Sequence, residues 1–521
     1  MDRRDFIRKG LVSAVSLAVA PYILKGETAI PWVPQHNWEG YDFGSGPGVP
    51  DRLYQGPFPQ YSPEDFFGGE VIMQTTPGEQ IINCFGMGLT SYISGDQGCP
   101  HVDGKSTEEV IDGLFRFPLA TKVYIRPTWR HIQKRKGVLE PDDYWRITFE
   151  KASKYGKKVG FRIMMNDPDI MADSLPDFVL DKVPMKKLSG RWGRKPGDMV
   201  KLNLQPDMGN PYFIEYFEDL QRLLSERLDG AADVEYMDTC MYGLWGEGHT
   251  WPYEGNPYPS REIAESVMLR LFNIQKKYWT KIPLLTNTQP DFSRVGNSEI
   301  VDRTVRSCNW LRTDTIFIEN EQIEALSNRP AWIAAACECA LTDGSEATMR
   351  YDNSGIPYNE AIISHVKDVG ANYFSLWNWH DINPDHLYDY YKKYPAGLDD
   401  LASSIGYRVR PSWIWNFENG MDKGLIIGMA NDGIACVPGI LRLTLYDADG
   451  SLNVSGCLDP GYPKTSGIRQ CLLPFPPGVS WSPGRMRLKA ELEYKGVRYP
   501  VPFACAQKLN SDGSLTIDKN L

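Results

Sequence analysis

The sequence predicts an α/β fold: a (β/α)8 barrel followed by a C-terminal β-sandwich of immunoglobulin-like type. Three observations lead there. From about residue 79 to 408, eight apolar strand-like runs alternate with amphipathic helix-like stretches, which implies a parallel sheet with right-handed crossovers. Eight such strands in about 330 residues fit a closed barrel. The first run leads into Gly86-Met87-Gly88-Leu89-Thr90, which lacks the glycine-rich phosphate loop that a doubly wound open sheet usually carries. After about residue 409 the helical pattern stops, and short strand-like runs separated by turn residues take over.

In chain order, Arg3-Arg4-Asp5-Phe6-Ile7-Arg8-Lys9 precedes a mildly apolar run, Leu11 to Ala20. The run is shorter than the ~20 residues a membrane span needs, and the pair of arginines resembles a twin-arginine export signal. Residues 1–25 are therefore expected to be a signal peptide, and the mature protein to be periplasmic or extracellular in a bacterium. Residues 26–78, rich in Pro, Gly and aromatics, read as an extended arm lying on the main domain. The barrel should span 79–408. Its expected strands are Gln80–Met87, Lys122–Arg126, Lys158–Met164, Val234–Cys240, Ile282–Asn287, Thr304–Asn309, Ala331–Cys337 and Asn372–Trp377. The expected helices are Thr107–Phe115, Asp142–Tyr155, Pro211–Leu228, Ser260–Tyr278, Glu319–Ser327 and Asn359–Val369, with apolar residues at three- and four-residue spacing, as in Ile263, Val267, Leu271 and Ile274. The sandwich, 409–521, is read from Gly424–Ala430, Gly439–Tyr446, Arg469–Leu473, Arg485–Tyr494 and Tyr499–Ala504.

Composition narrows the function. A chain of 521 residues is long enough for two or three domains. Net charge is −10, with no long basic run, which argues against a nucleic-acid partner. No later segment is long and apolar enough to span a membrane. The 15 Trp and 27 Tyr fit a large core and also a cleft that stacks sugar rings. The ten cysteines are scattered, with no C-x-x-C, and Cys337-Glu338-Cys339 has no nearby histidine, so a structural zinc site is not expected. Asp447 and Asp449 read as a hairpin turn rather than a calcium site. The sequence leaves oligomeric state open.

The densest chemistry lies in Met237-Asp238-Thr239-Cys240-Met241-Tyr242-Gly243-Leu244-Trp245-Gly246-Glu247-Gly248-His249-Thr250-Trp251, at the carboxyl end of the fourth strand. In barrels, chemistry sits at that end. Glycines beside Glu247 allow a tight turn. Trp245 and Trp251 should desolvate its carboxyl, which favours the protonated form and suits a general acid. The seventh strand ends in Ala334-Ala335-Ala336-Cys337-Glu338. A carboxylate there is expensive without partners or a task, and alternation puts Glu338 on a face with small residues. Glu319 and Glu321 are rivals, although they open a helix, where a carboxylate is favoured anyway. Around the pair, Arg126 and Trp129 follow strand two, Asn166 and Asp167 strand three, Asn287 strand five, and Trp377, Trp379 and His380 strand eight. With Trp245, His249 and Trp251 they form the expected substrate-binding rim, Arg126 orienting a neighbouring carboxylate.

On these residues the chain resembles the retaining glycoside hydrolases whose acid/base glutamate ends strand four and whose nucleophile glutamate ends strand seven. The likeness covers residues 79–408. Arg126-Pro127-Thr128-Trp129, and Gly137 to Trp145 with Glu140-Pro141, resemble a β-galactosidase-like segment, with the order of the second shuffled. The Trp-Gly-Glu-Gly-His run is similar to bacterial barrel proteins that end in a β-sandwich. The resemblance implies Glu247 as acid/base and Glu338 as nucleophile. Gly246 stands where many members carry an asparagine that binds the sugar 2-hydroxyl.

The expected activity is hydrolysis of an O-glycosidic bond in an oligo- or polysaccharide, with no cofactor, because two carboxylates suffice. A non-catalytic carbohydrate-binding protein on a degenerate barrel is the alternative, motivated by Gly246. A metal hydrolase built on Asp238, His249, His380 and Asp381 is disfavoured, because the first strand carries no His-x-His.

Overall fold

The structure is a computed structural model. It describes residues 69–93, 101–167, 172–191, 200–248, 260–288, 294–313, 325–340, 358–377, 383–419, 422–447 and 449–520.

The chain enters through β1 (Glu70–Gln74) and then builds a barrel from eight parallel strands. These are β2 (Gly88–Tyr92), β3 (Ala120–Ile125), β4 (Lys158–Phe161), β7 (Val234–Asp238), β8 (Leu284–Asn287), β9 (Trp310–Thr313), β10 (Ala335–Ala340) and β11 (Tyr373–Trp377). Their order around the barrel is their order in the chain, and β11 closes on β2. Between β4 and β7 the chain inserts an antiparallel hairpin, β5 (Met185–Arg191) and β6 (Val200–Pro206).

The crossover helices follow local rules. In α1 (Thr107–Arg116), Ser106 and Glu109 form a reciprocal capping box, and Val110, Ile111, Leu114 and Phe115 make the buried stripe. The helix α2 (Asp143–Tyr155) stops at Gly156 in a left-handed turn. Asn210 caps α3 (Pro211–Leu228), with Pro211 at its first position. Ser260 caps α4 (Arg261–Tyr278). After these come α5 (Arg294–Arg306), α6 (Tyr358–Asp368), α7 (Pro384–Lys393) and α8 (Pro395–Ser404).

Three departures from expectation have physical causes. Gln80–Met87 is not the first strand, which begins at Gly88. Gly86 and Gly88 hold positive φ, and the segment closes the barrel floor instead: the Gly86 amide donates to Glu235 and the Phe85 carbonyl accepts from Tyr407. The sixth strand starts at Trp310, not Thr304. Thr304 belongs to α5, where its hydroxyl bonds the Ile300 carbonyl, and Cys308 turns the chain at positive φ. The seventh strand lies at 335–340 rather than 331–337. The inserted hairpin and α5, α7 and α8 were not anticipated.

The C-terminal part forms two antiparallel sheets. One joins β1 to β12 (Val409–Asn419), β13 (Asp422–Asn431) and β16 (Ile468–Pro474). The other holds β14 (Ile440–Asp447), β15 (Asn453–Leu458), β17 (Met486–Tyr494), β18 (Val497–Val501) and the short β19 (Leu515–Thr516). Alternate residues such as Leu441, Leu443 and Leu445, or Leu488, Ala490 and Leu492, share one core with the barrel. The described end of the expected arm is thus an edge strand of the first sheet.

The β17–β18 hairpin tip inserts at the amino-terminal ends of the barrel strands. The Tyr494 hydroxyl donates to the Cys308 carbonyl at 2.7 Å, and Lys495 Nζ reaches Asn309 Oδ1 at 2.7 Å and the Ile282 carbonyl at 3.1 Å. Tyr499 stacks on Phe85. These contacts occupy the barrel floor and leave the carboxyl-terminal mouth to the loops.

Candidate active site

The mouth is built from residues that end successive barrel strands: Tyr92, Tyr124 with Arg126, Arg162, Asp238, Asn287, Arg312 and Glu338. The loop after β7 adds Glu247. Its path is tight, with Gly243, Trp245, Gly246 and Gly248 all at positive φ. Gly246 also makes a close approach, since a Cβ there would stand 3.3 Å from Arg162 Cδ. The Met241 amide bonds the Gly246 carbonyl, and the Trp245 amide bonds the Asn166 carbonyl at 2.7 Å. Asn287 Nδ2 donates to the Glu247 carbonyl at 2.9 Å. Neighbouring strands thus fix the loop by its backbone.

Glu247 and Glu338, chosen from sequence, come together. Both are almost completely buried, at 3% and 2% exposure. Three guanidinium groups converge on Glu247 Oε1: Arg162 at 2.6 Å, Arg126 at 3.2 Å and Arg312 at 3.4 Å. Glu338 Oε2 accepts from the Tyr92 hydroxyl at 2.8 Å and contacts Arg312 Nη2. Asp238 Oδ2 accepts from the Tyr124 hydroxyl at 2.7 Å and pairs with Arg162 and Arg312 at 3.2 Å each. Among the described residues that make these contacts, three arginines face three carboxylates, and each ion so deeply buried needs its partners. Burial pushes the Tyr92 and Tyr124 hydroxyls well above their ordinary range, against the pull of nearby arginines, so both stay protonated and donate. For Arg162, burial opposes the charge, but Asp238, Tyr124 and Glu247 outweigh it and keep the guanidinium firmly cationic.

Among the described residues, three guanidinium groups contact the Glu247 carboxylate; Trp251, expected beside it, lies outside them. Trp245 packs with Met164, Leu188 and Leu244.

The remaining expected residues divide. Arg126, expected to orient a neighbouring carboxylate, lies 3.2 Å from Glu247 Oε1 through Nη1. Asn166 and Asp167 are fully buried in the segment that follows β4, and both polar ends of the Asn166 amide lack a hydrogen-bond partner. Trp129 does not join them. It is fully buried under the outer helices, edge-on to Phe178, Phe213 and Phe217, with its indole N–H on Gln133 at 2.8 Å. Its ring is committed to packing, so its assignment to the rim is corrected. Trp377 ends β11, and its side chain lies outside the described residues, as do His249, Trp251, Trp379, His380, Asp381, Glu319 and Glu321.

Arg162, Arg312, Tyr92 and Tyr124 were missed. The signal existed for the arginines: Phe161-Arg162-Ile163-Met164 and Trp310-Leu311-Arg312 each place a cation in an apolar strand run, which is costly unless paired. The same argument had singled out Glu338.

Among the described residues no cluster of three or more His, Cys, Asp or Glu could hold a metal ion. Oδ2 of Asp238 is taken up by Tyr124 and two arginines. No described helix is long and apolar enough to cross a membrane.

No family model and no curated protein matches the chain. Several solved structures are similar at low identity. The catalytic domain of β-amylase from Paenibacillus polymyxa is 10% identical, with 60% of this chain and 98% of that one covered and a TM-score of 0.38. Endo-glycoceramidase II from Rhodococcus sp. is 12% identical, with 76% and 95% covered and a TM-score of 0.34. A GH10 endoxylanase retrieved from a sugarcane soil metagenome is 10% identical, with 56% and 85% covered and a TM-score of 0.33.

Proposed function

We propose that the protein is a glycoside hydrolase acting at the carboxyl-terminal mouth of its barrel, with Glu338 as nucleophile and Glu247 as acid/base. The observation that carries this reading is the convergence of two glutamates, from the ends of strands four and seven, on one guanidinium, Arg312. Carboxyl groups within reach of a single planar group suit the ~5 Å separation of a retaining mechanism better than the wider gap that inversion needs.

In the proposed reaction, a Glu338 oxygen bonds to the anomeric carbon as the bond to the leaving oxygen breaks. Glu247 gives its proton to that oxygen. Water then attacks the glycosyl ester, Glu247 takes the water's proton, and Glu338 leaves as carboxylate. Tyr92 donates to Glu338 and fixes its rotamer. The unpartnered amide of Asn166 offers a donor and an acceptor to sugar hydroxyls. No cofactor enters this scheme. Export through the N-terminal signal, a division at about residue 408 and a cap function for the C-terminal sheets belong to the same proposal.

A second reading, carbohydrate binding without cleavage, is favoured by one observation. Arg312 lies against both glutamates, which are nearly inaccessible. A panel of aryl glycosides and of plant and host glycans separates the two readings, run with wild type, Glu247→Gln and Glu338→Gln. Sugar release by wild type, lost in both folded variants, supports hydrolysis. Retention on glycan affinity gels without release supports binding.

A further inference from the structure

The two glutamates do not face each other across open space. Arg312, on β9, has three acidic neighbours: Nη1 is 3.4 Å from Glu247 Oε1, Nη2 touches Glu338 Oε2, and Nε is 3.2 Å from Asp238 Oδ2. A retaining mechanism places the anomeric carbon between nucleophile and acid. The terminal nitrogens of Arg312 reach from one glutamate to the other across that same gap. They must leave for a sugar to enter. Asp238 holds the same guanidinium through Nε, and because the group is one rigid plane, a turn of the side chain that takes the terminal nitrogens off the glutamates takes Nε with them. The groups facing the pair are Tyr92 from β2, Tyr124 and Arg126 from β3 and its end, Arg162 after β4, and Asp238 at the end of β7. If Arg312 withdraws, Glu247 keeps two cations, Arg126 and Arg162. Among the described residues, Glu338 then keeps only the Tyr92 hydroxyl.

We propose that Arg312 is a positioning residue that bridges and neutralises the two glutamates before substrate enters, and swings off them as one rigid plane when a glycoside takes its place. The proposal rests on the glycosidase reading for its functional meaning. Its consequence is that the substrate itself strips Glu338 of its cation, which raises its nucleophilicity. The same movement removes one of the three cations that oppose protonation of Glu247.

The test compares wild type, Arg312→Met and Arg312→Lys on whichever panel glycoside wild type cleaves. In a profile of kcat/KM against pH, the alkaline limb reports the group that must be protonated in the free enzyme. Removing a cation within contact distance should move that limb up by about one pH unit or more in Arg312→Met. Arg312→Lys, which keeps the charge, should leave it in place. KM should fall in Arg312→Met, because no bonded guanidinium has to be displaced. A uniform loss of kcat/KM at every pH, with limbs and KM unmoved, would overturn the proposal. A second readout does not depend on turnover. The infrared carboxyl band that Glu247→Gln abolishes is titrated in wild type and Arg312→Met. Protonation at higher pH in the variant supports the bridge, and protonation at the same pH overturns it. If wild type cleaves nothing in the panel, the glycosidase reading fails alone, and this titration still decides whether Arg312 controls Glu247.

Discussion

Removal of Arg162 tests the charge-balanced cage. Arg162 is fully buried and touches two carboxylates, Glu247 at 2.6 Å and Asp238 at 3.2 Å. In Arg162→Met, two arginines remain against three carboxylates, so one negative charge is left buried without its partner. Each lost contact, taken between charge centres about 4 Å apart, is worth about 4 kcal/mol at an effective dielectric near 20. Part of this returns because the guanidinium no longer has to be desolvated, and the net cost should be about 3–5 kcal/mol. With an unfolding entropy of about 2.1 cal/mol/K per residue in a unit this large, Tm should fall by about 4 °C. The assay is thermal unfolding by circular dichroism, with Arg146→Met as control. Arg146 makes only exposed ion pairs, to Asp143 and Glu150, and its loss should cost under about 1 kcal/mol. The double variant Arg162→Met/Asp238→Asn restores the balance. It should cost less than the sum of the two single changes, by about 2 kcal/mol. Strict additivity, or an Arg162→Met cost no greater than the control's, would refute the cage.

Three further outcomes follow from the same geometry. Burial lowers the Lys495 amine to about 8, below the unfolded value near 10.4. Its stabilising contribution is therefore complete above the unfolded value and is lost as pH falls through about 8. The stability of wild type relative to Lys495→Met should rise by roughly 3 kcal/mol between pH 7 and pH 11, as read from unfolding midpoints; a flat difference would show that Lys495 is hydrated in the fold. Gly246→Ala forces a side chain into positive φ, with its Cβ 3.3 Å from Arg162 Cδ. It should cost about 1–3 kcal/mol of stability and lower kcat by more than the folded fraction explains. Trp129→Phe should lower Tm, through the lost bond to Gln133, and leave KM unchanged. A several-fold rise in KM would return Trp129 to the substrate-binding rim.

The barrel was legible because its signal is repeated. Apolar runs at the right spacing located most of the barrel strands, and helices such as Pro211–Leu228 are marked by their own caps. Edges were harder, because a β-branched run such as Thr304-Val305 fits a strand as well as the end of a buried helix. Glu247 and Glu338 could be read from their setting, a glycine-rich strand end and an apolar strand that terminates in a carboxylate. Their environment could not. Periodicity places residues on strands but does not reveal that Arg162, Arg312 and Arg126 meet at one oxygen across the barrel. The tryptophans beside Glu247 in sequence suggested an apolar pocket, while among the described residues three arginines reach its carboxylate. Trp129 failed for a related reason, since an aromatic just past a strand end can turn into the outer core as readily as into the mouth.

The central claim is that Glu338 forms a bond to sugar, and trapping that bond tests it most directly. Wild type would be incubated with the 2-deoxy-2-fluoro glycoside, carrying an activated leaving group, of the sugar it releases from the panel. The protein would then be digested and its peptides weighed. The expected result is one fluoroglycosyl group on Glu338, absent from Glu338→Gln. Turnover with no label, or a label on any other residue, would contradict it.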